Sequence, residues 1–316
     1  RLNEVFRIAT HVAIMRDGVI TLHGRAEEFS RETLVRGLLP EGLSPEGLLP
    51  EGREEEGARR GAPERKAPDY AERRPVLELR DYSGWGFADI NLKVYPGEVL
   101  GLCGVVGAGR TELAMTIYGR DRVKSGRAFL DGEDITGLGT RRIIRKGVNY
   151  VPEDRFLNGV FPITGIAGNM SSALLGFLPG FLLNFRAEAG LAGRYLEEFR
   201  IRAAGPRQEM GSLSGGNQQK VVIGRALSTE PRLVIMDEPT RGIDAGARGD
   251  IYAIIAELKA RNVAVLLISS DMEEIVELSD RAVTMFQGRI NREFQREEIT
   301  QDRLMSASFG LAGEAG

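Results

Sequence analysis

The chain has 316 residues, of which 42% are hydrophobic, and a formal net charge of −3. This composition is sufficient for a substantial core in one or two domains, and the slightly acidic balance gives no global reason to expect nucleic-acid binding. A single cysteine, Cys103, excludes a disulfide framework or a cysteine metal cluster, and no apolar run reaches the about 18 residues of a membrane-spanning helix.

The first 36 residues resemble a later stretch of the same chain. At a constant offset of 270, residues 1–36 align without a gap with residues 271–306, and their apolar patterns match. The alignment contains seven identities: Glu4/Glu274, Met15/Met285, Gly18/Gly288, Ile20/Ile290, Glu27/Glu297, Glu28/Glu298 and Leu34/Leu304. We therefore predict that residues 1–36 are the tail of a domain homologous to the one that follows.

Residues 37–74 differ in kind from the rest of the sequence. Three near-copies of a five-residue unit, at 38–42, 43–47 and 48–52, lead into a charged segment rich in Pro, Gly and Ala. Prolines interrupt every helical window, and no strand-like alternation is present. The segment is predicted to be a disordered linker.

A compact domain is predicted over residues 75–316. Its sequence alternates short apolar runs with helical patterns. Buried apolar strands that alternate with helices indicate a parallel sheet with both faces covered. Strands are predicted at 76–79, 90–94, 99–103, 147–151, 233–236 and 263–268. Helices are predicted mainly over 166–200 and 250–259. The predicted fold is α/β, with a mostly parallel core sheet and an antiparallel β edge.

The stretch 97–116 joins an apolar strand to a glycine-rich turn and a helix that is predicted to open at Thr111. It matches the pattern G-x-x-x-x-G-[K]-[ST], with Arg110 where a lysine is expected. Glycines let backbone N–H groups converge on a phosphate at a helix N-terminus, where the helix dipole favours negative charge. The predicted nucleotide-binding residues are Gly104, Gly107, Ala108, Gly109, Arg110, Thr111 and Glu112, with the Thr111 hydroxyl as a ligand of Mg²⁺.

Two adjacent carboxylates follow the apolar strand at 233–236. In a phosphate-loop fold, a carboxylate at such a strand end holds Mg²⁺ through water, and a neighbouring one polarises an attacking water. These roles are predicted for Asp237 and for Glu238, the candidate catalytic residue. About 20 residues earlier, the sequence LSGGNQQK at 213–220 places glycines and a serine before a helix, which predicts a second anion site.

The order of these motifs resembles the ATP-binding cassette of ABC transporters. More narrowly, GAGRTE (107–112), VPEDR (151–155), LSGGNQQK and DEPTRGID (237–244) are similar to the second cassette of the double-cassette ATPases that drive bacterial simple-sugar importers. The resemblance implies a P-loop NTPase-type fold with a helical subdomain over about 156–228, and ATP and Mg²⁺ as ligands. It also implies sugar import through a membrane permease, at the cytoplasmic face of the cell membrane.

The same resemblance implies a sandwich dimer of cassettes, in which each ATP lies between one phosphate loop and the signature sequence of the other cassette. The residues expected to contact the partner's ATP are Leu213, Ser214, Gly215, Gly216 and Gln218. The second cassette would come from the same polypeptide or from a second copy. A periplasmic or extracellular solute-binding protein would act indirectly through the permease, and no nucleic-acid partner is expected.

Some residues of this chain differ from those found at the equivalent positions of most ATP-binding cassettes. Glu153 stands where many cassettes have a glutamine that senses Mg²⁺, and Ser270 stands where a histidine usually contacts the γ-phosphate. Gly242 and Asp244 match the loop that faces the partner cassette. Arg110 and Ser270 together predict a degenerate site that binds nucleotide and hydrolyses it slowly, because the arginine fork is bulkier than an ammonium.

Two matters stay open at the level of sequence. For the aromatic residue that stacks on adenine we choose Phe87, with Tyr82 and Trp85 also near the required place. The alternative functions are a nucleotide-binding regulatory module without turnover, and import of a nucleoside or another small polar solute. A cassette of DNA repair or translation is disfavoured by the acidic balance.

Overall fold

A computed structural model describes residues 9–16, 19–29, 33, 70, 73–175 and 185–311. Most of the predicted linker, residues 37–74, and parts of the predicted remnant, residues 1–36, lie outside the described residues. The strands are β1 (His11–Arg16), β2 (Val19–Arg25), β3 (Leu77–Gly84), β4 (Phe87–Val94), β5 (Val99–Gly104), β6 (Ser125–Leu130), β7 (Glu133–Asp134), β8 (Val148–Val151), β9 (Leu233–Asp237), β10 (Ala264–Ile268), β11 (Arg281–Phe286) and β12 (Arg289–Gln295).

The described residues also form helices that follow the strands of the core. The α-helices are α1 (Arg110–Ile117), α2 (Thr140–Lys146), α3 (Ile166–Ser171), α4 (Phe185–Glu198), α5 (Gly215–Leu227), α6 (Ala245–Ala260), α7 (Met272–Leu278) and α8 (Gln301–Ser308). Shorter turns of helix are Ala26–Glu28, Ser172–Leu174, Met210–Ser212 and Arg296–Glu298, with one π-type turn at Arg155–Gly159. Within these ranges, no helix has the length and apolar character needed to cross a bilayer.

A six-stranded sheet in the order β12-β11-β5-β10-β9-β8 forms the centre of the domain. Its strands are parallel except for β12, which pairs with β11 in the antiparallel sense. In this register Ile268 lies opposite both Leu102 and Asp237. The carboxyl ends of β5, β9 and β10 therefore meet at one edge, and the loops that follow them share that edge.

Side chains of the central strands alternate between two apolar cores. In β10, Val265 and Leu267 join the core beneath α5 to α8, whereas Leu266 and Ile268 join the core shared with α1 and β3, β4 and β6. Because both faces are covered, the strands contain almost continuous apolar runs. The predicted α/β fold with a mostly parallel sheet is confirmed.

An antiparallel sheet in the order β4-β3-β6-β7 supplies the β part of the fold. Its hairpin turn between β3 and β4 reaches the glycine-rich loop, since a Cβ on Gly109 would lie only 2.5 Å from the carbonyl oxygen of Gly86. Both strands of this hairpin are longer than the alternating runs predicted at 76–79 and 90–94. The strands continue into more polar residues because pairing between β3 and β4 reaches Gly84 and Phe87. The alternation of apolar residues does not predict this extension.

Two predicted helix starts differ from the observed ones. Helix α1 begins at Arg110 and not at Thr111, because Gly109 occupies the N-cap position with a φ of 96°. Helix α6 begins at Ala245, five residues before the apolar pattern at 250–259, because the Asp244 carboxylate accepts a hydrogen bond from the Ala247 N–H at 3.0 Å. In α6 the Asp244 cap thus extends the helix beyond its apolar face.

The N-terminal hairpin β1–β2 has the geometry of β11–β12. The first and last residues of each strand differ by 270 between the two hairpins. The pairing register also shifts at the equivalent place in both, between Ile14 and Met15 in one and between Thr284 and Met285 in the other. Each hairpin is followed by a short helical turn with the same cap, in which Arg25 N or Gln295 N donates to a glutamate three residues later. The offset found in the sequence thus has a counterpart in the backbone.

Candidate nucleotide-binding site

The glycine-rich loop between β5 and α1 contains the predicted phosphate-binding residues Gly104, Gly107, Ala108, Gly109 and Arg110. Gly107 and Gly109 have φ values of 80° and 96°, in the left-handed region that favours glycine. A side chain at Gly109 would also collide with Gly86. Thr111 and Glu112, in the first turn of α1, are half-buried. The loop therefore has the backbone that a phosphate-binding turn requires.

Glu238 lies beside this loop and is held by two neighbours. Its Oε1 is 3.6 Å from Nη1 of Arg110, whose residue is only 8% exposed, and its Oε2 accepts a hydrogen bond from the Ser270 hydroxyl at 3.1 Å. The backbone of Glu238 has a φ of 48°, and its N–H donates to the Ile268 carbonyl at 2.8 Å. The structure thus brings the predicted catalytic, phosphate-loop and switch residues into contact.

Asp237 ends β9 in a fully buried position. Tyr150 donates its hydroxyl to Oδ2 at 2.9 Å, whereas Oδ1 has no hydrogen-bond partner among the described residues. Burial raises the pKa of Asp237 to about 6, although the hydroxyls of Thr111 and Tyr150 act in the opposite direction. An unpaired carboxylate oxygen near a threonine hydroxyl fits Mg²⁺, which is commonly held by one or two protein ligands and by substrate phosphates.

Tyr150 is a site residue that the sequence motifs did not identify. It lies on β8, next to β9, and only the pairing of Tyr150 with Ile235 places its hydroxyl near Asp237. A tyrosine inside an apolar strand is a weak signal, because the aromatic ring alone is an ordinary core residue.

The loop after β8 contacts the chain just after Glu238. Glu153, predicted to sense Mg²⁺, forms an ion pair with Arg241. Arg155, which sequence reasoning did not single out, donates from Nη1 to the Arg241 carbonyl at 3.1 Å and from Nη2 to the Gly242 carbonyl at 3.3 Å. Its signal in the sequence was only its place at the end of VPEDR. The role of Glu153 toward Mg²⁺ stays a prediction.

The predicted signature residues divide into exposed and buried groups. Ser214 is exposed at the N-cap of α5, followed by the half-buried Gly215. By contrast, Leu213, Gly216 and Gln218 are buried, and the Gln218 amide donates to the carbonyls of Leu213 at 3.1 Å and Met210 at 3.3 Å. In this conformation Gln218 holds the loop from beneath, and its contact with the ATP of a partner cassette stays a prediction.

Gly242 and Asp244, predicted to face a partner cassette, lie in the turn that leads into α6. Gly242 has a φ of 69°, which favours glycine at this position. The Asp244 carboxylate is exposed and caps α6, and the hydrogen bond from the Ala247 N–H lowers its pKa. Asp244 thus remains ionised while it holds the start of the helix.

The structure does not support Phe87 as an adenine-stacking residue. Phe87 is 4% exposed and packs 6.0 Å from the Tyr82 ring, which is also buried, because both side chains point from the β3–β4 hairpin into the core. Trp85, in the hairpin turn, is 74% exposed, with the Lys124 ammonium 4.9 Å from its ring centroid. Of the three candidates, only Trp85 has an exposed ring, and it precedes Gly86, whose backbone approaches Gly109 of the glycine-rich loop.

A family model described as ABC transporter matches residues 87–241, which include the phosphate loop, the signature and the two carboxylates. The chain belongs to the ABC transporter ATP-binding family. Solved structures agree in fold: the ATP-binding cassette MJ1267 in its ADP conformation covers 71% of this chain and 93% of its own, with a TM-score of 0.62 and 24% identity. A dimeric post-hydrolysis cassette, MJ0796 bound to ADP and Pi, has a TM-score of 0.62, covers 70% of this chain and 98% of its own, and is 19% identical.

Curated relatives of this ABC chain are named import ATP-binding proteins. The autoinducer 2 protein LsrA of Enterobacter sp. is 39% identical over 98% of this chain, and the ribose protein RbsA 2 of Rubrobacter xylanophilus is 39% identical over 99%. The xylose protein XylG of Moorella thermoacetica is 36% identical over 98%. These matches cover 61%, 57% and 60% of the three relatives. The chain therefore spans about three fifths of their length.

Proposed function

We propose that the chain is the ATP-hydrolysing part of an importer for a simple sugar, with residues 75–316 as the second of two ATP-binding cassettes. The observation that carries the proposal is the convergence of Arg110, Asp237, Glu238 and Ser270 at the carboxyl edge of the central sheet. The names of the relatives, which mention ribose, xylose and autoinducer 2, support a sugar or similar polar solute as the transported molecule.

Each group near the phosphate loop has a chemical role in this proposal. The loop N–H groups and Arg110 bind the phosphates, and Glu238 polarises the attacking water once Arg110 is drawn to the phosphates. Thr111 and Asp237 would hold Mg²⁺, which would supply positive charge to neutralise the phosphates. Trp85 stacks on the adenine ring, and Lys124 adds positive charge nearby.

We further propose that this phosphate loop is slow in hydrolysis. Arg110 replaces a compact ammonium with a planar fork that is already engaged with Glu238, and Ser270 carries no positive charge toward the γ-phosphate. The exposed Ser214 and the half-buried Gly215 would complete a second site with the phosphate loop of a partner cassette. That partner belongs to the same polypeptide or is a second copy.

The N-terminal residues support the assignment to a double cassette. We propose that residues 1–36 end a first cassette and that residues 37–74 link it to the second. The support is the common geometry of β1–β2 and β11–β12 at an offset of 270. The relatives' greater length is consistent with this arrangement.

An exposed apolar surface in the predicted helical subdomain suggests where the membrane permease docks. Several large apolar side chains are exposed in this part of the chain, and exposed apolar residues of this size are typical of an interaction site when they form a contiguous patch. The residues are Phe156, Leu157, Phe161, Ile163, Leu175 and Phe185. Docking at this surface would hold the cassette at the cytoplasmic face of the membrane, and an external solute-binding protein would act through the permease.

The decisive experiment measures ATP binding and steady-state hydrolysis by the chain, alone and with an ABC cassette whose phosphate loop contains lysine. We expect Mg²⁺-dependent ATP binding, little turnover by the chain alone, and turnover that rises with the partner and is lost in Gly215→Asp. Robust turnover by the chain alone, abolished by Glu238→Gln, would contradict the slow-site proposal. Absence of ATP binding would contradict the proposed function itself.

The ion pair between Arg110 and Glu238 also favours a second candidate, a nucleotide-binding regulatory module without turnover. This function predicts ATP binding with no turnover under any pairing, including with a complete permease. Transport of ribose or xylose into vesicles that contain the permease would separate the two functions, since only the first requires ATP consumption during uptake.

A further inference from the structure

The hydroxyl of Tyr150 has a fixed place beneath the phosphate loop. Tyr150 is 6% exposed, and its ring packs against that of Tyr118, with the two centroids 5.4 Å apart and the planes inclined by 37°. Its strand, β8, pairs with β9, where Tyr150 lies opposite Ile235. The ring is thereby held in one orientation, in which the hydroxyl donates to Oδ2 of Asp237 at 2.9 Å.

The backbone that carries Tyr150 is also held from the side of α5. Within the part of the chain that the structure describes, β8 is an edge strand of the central sheet and pairs with β9 alone. The buried Asn149 donates from Nδ2 to the Ala226 carbonyl and to the Thr229 hydroxyl, each at 3.1 Å. Its Oδ1 accepts a hydrogen bond from the Tyr150 N–H at 2.9 Å. The Asn149 amide therefore fixes β8 where sheet pairing is one-sided.

The two carboxyl oxygens of Asp237 have different surroundings. The residue is 0% exposed, and its Oδ2 accepts the hydrogen bond from Tyr150. Its Oδ1 is buried and has no hydrogen-bond partner in the described ranges. A buried carboxylate oxygen without a partner is costly unless a ligand supplies one. One oxygen of Asp237 is thus committed to the protein, and the other is left for a cation.

The hydroxyl of Tyr150 determines which oxygen is left. A phenolic O–H donates, whereas an ionised carboxylate only accepts, so the bond has one possible direction. The terminal torsion of an aspartate is broad, and without the hydroxyl the carboxylate of Asp237 would have no such constraint on its rotation. Metal-ligating carboxylates are commonly oriented by hydrogen bonds of this kind, which reduce the ordering that binding requires.

We propose that Tyr150 is a positioning residue, whose hydroxyl fixes the Asp237 carboxylate so that Oδ1 is oriented for the Mg²⁺ that accompanies ATP. This inference rests on the proposed function, which assigns Mg²⁺ to Asp237 and Thr111. Tyr150 acts through Asp237 and not on the nucleotide itself. Its contribution therefore belongs to the metal-dependent part of ATP binding and not to the contacts made by the loop N–H groups.

Calorimetric titration of the whole 316-residue chain with ATP, in saturating Mg²⁺ and in EDTA, separates these two parts. Tyr150→Phe should weaken binding in Mg²⁺ by about tenfold, the lower end of the effect of removing a partner of a metal ligand, and should change binding in EDTA by less than twofold. Tyr118→Phe is the matched control, because it removes a hydroxyl from the neighbouring ring and leaves the bond to Asp237 in place. It should match the wild type under both conditions.

A spectroscopic titration with Mn²⁺ and ATP tests the metal site directly. Mn²⁺ takes the same oxygen ligands as Mg²⁺, and its electron paramagnetic resonance signal distinguishes free from bound ion. Tyr150→Phe should raise the Kd for Mn²⁺ in the presence of ATP by about tenfold, and should add nothing in an Asp237→Asn background. An equal effect of Tyr150→Phe in both backgrounds would overturn the proposal, as would an equal loss of ATP affinity in Mg²⁺ and in EDTA.

A second variant keeps the question open to measurement if Tyr150→Phe does not fold. Asn149→Ala retains the Tyr150 hydroxyl and removes the bond to its N–H, so the Kd for Mn²⁺ should rise by about threefold, and an unchanged Kd would overturn the proposal. Failure of the wild-type chain to bind ATP under either condition would contradict the proposed function and, with it, the role of Tyr150. Binding by the wild type with the same Mg²⁺ dependence in Tyr150→Phe would contradict the role of Tyr150 alone.

Discussion

The guanidinium of Arg110 and the carboxylate of Glu238 share one buried corner of the site, with Nη1 3.6 Å from Oε1. Their side chains are only 9% and 10% exposed, so water screens the pair weakly. Nη1 has no hydrogen-bond partner among the described residues. A phosphate bound in the glycine-rich loop would therefore compete with Glu238 for the same cation.

We predict that Glu238→Gln tightens ATP binding by about fivefold, equivalent to about 1 kcal/mol. The substitution removes a negative charge near the phosphates and frees Arg110 to bind them. Isothermal titration calorimetry of the wild type and the variant, at equal Mg²⁺ and ionic strength, measures the change.

The matched control is the same substitution in an Arg110→Ala background. In this background no guanidinium is released, so the gain in ATP affinity should fall to the part that comes from removing repulsion between the Glu238 carboxylate and the phosphates. Ser270→Ala, which removes the hydrogen bond to Oε2 and no charge, should change the affinity by less than twofold. A gain of equal size with and without Arg110 would show that the ion pair does not compete with nucleotide.

Trp85 gives a second prediction, which concerns the adenine base. Trp85→Ala should weaken ATP binding by about tenfold, because stacking on an exposed aromatic ring is worth roughly 1–3 kcal/mol per base. Since Trp85 is the only tryptophan in the chain, quenching of intrinsic fluorescence by ATP reports the contact directly.

Phe87→Leu is the control for this prediction. Phe87 is buried against Tyr82, so its truncation should lower the free energy of unfolding by about 1–2 kcal/mol and leave the affinity of the folded protein unchanged. If Phe87→Leu weakens binding and Trp85→Ala does not, the assignment from exposure is wrong.

The sequence predicted the fold because its strands are marked by two-sided apolar runs and its loops by glycine motifs. At the level of sequence Phe87 could not be told from Trp85, because both lie near the same motif and only the turn between β3 and β4 decides which ring is exposed. Burial of Gln218 could not be predicted from the sequence either, because the motif gives residue types and not the orientation of α5.

Contacts between distant segments were the least predictable part of the site. Tyr150 reaches Asp237 across 87 residues of sequence, and Arg155 reaches Gly242 across a similar separation. Such pairs depend on strand order and loop shape, which no local pattern specifies. The Arg110–Glu238 contact is of the same kind, although each residue was identified separately.

Packing of the signature helix gives a third prediction. Gly216→Ala should destabilise the chain by about 1–3 kcal/mol, because its Cβ would lie 2.3 Å from that of Ala247 and would push α5 away from α6. Gly193→Ala, on α4 with no atom within 4 Å of the added methyl, should instead stabilise it by about 0.5–1 kcal/mol. Urea unfolding of both variants makes the comparison. Similar effects of the two substitutions would contradict the close contact between the helices.

A buried carboxyl group on α7 gives the last prediction, on pH dependence. Glu274 is fully buried, and neither carboxyl oxygen has a hydrogen-bond partner among the described residues. Burial raises the pKa of Glu274 above its ordinary value, and the charges of Asp271 and Glu238 act in the same direction, while the nearby hydroxyls of Ser269 and Thr240 partly offset the shift.

The sign follows from proton linkage. The unfolded chain loses its proton near pH 4.5 and the folded chain only at higher pH, so the contribution of Glu274 to stability is complete below pH 4.5 and is lost as the pH rises through the folded pKa. Glu274→Gln should therefore be more stable than the wild type by about 1 kcal/mol at pH 8, and the difference should fade toward pH 5. Glu277→Gln, an exposed change on the same helix, should show no such trend. Urea unfolding at several pH values measures the difference, and a wild type more stable than Glu274→Gln at pH 8 would mean that the buried carboxylate is ionised and paired.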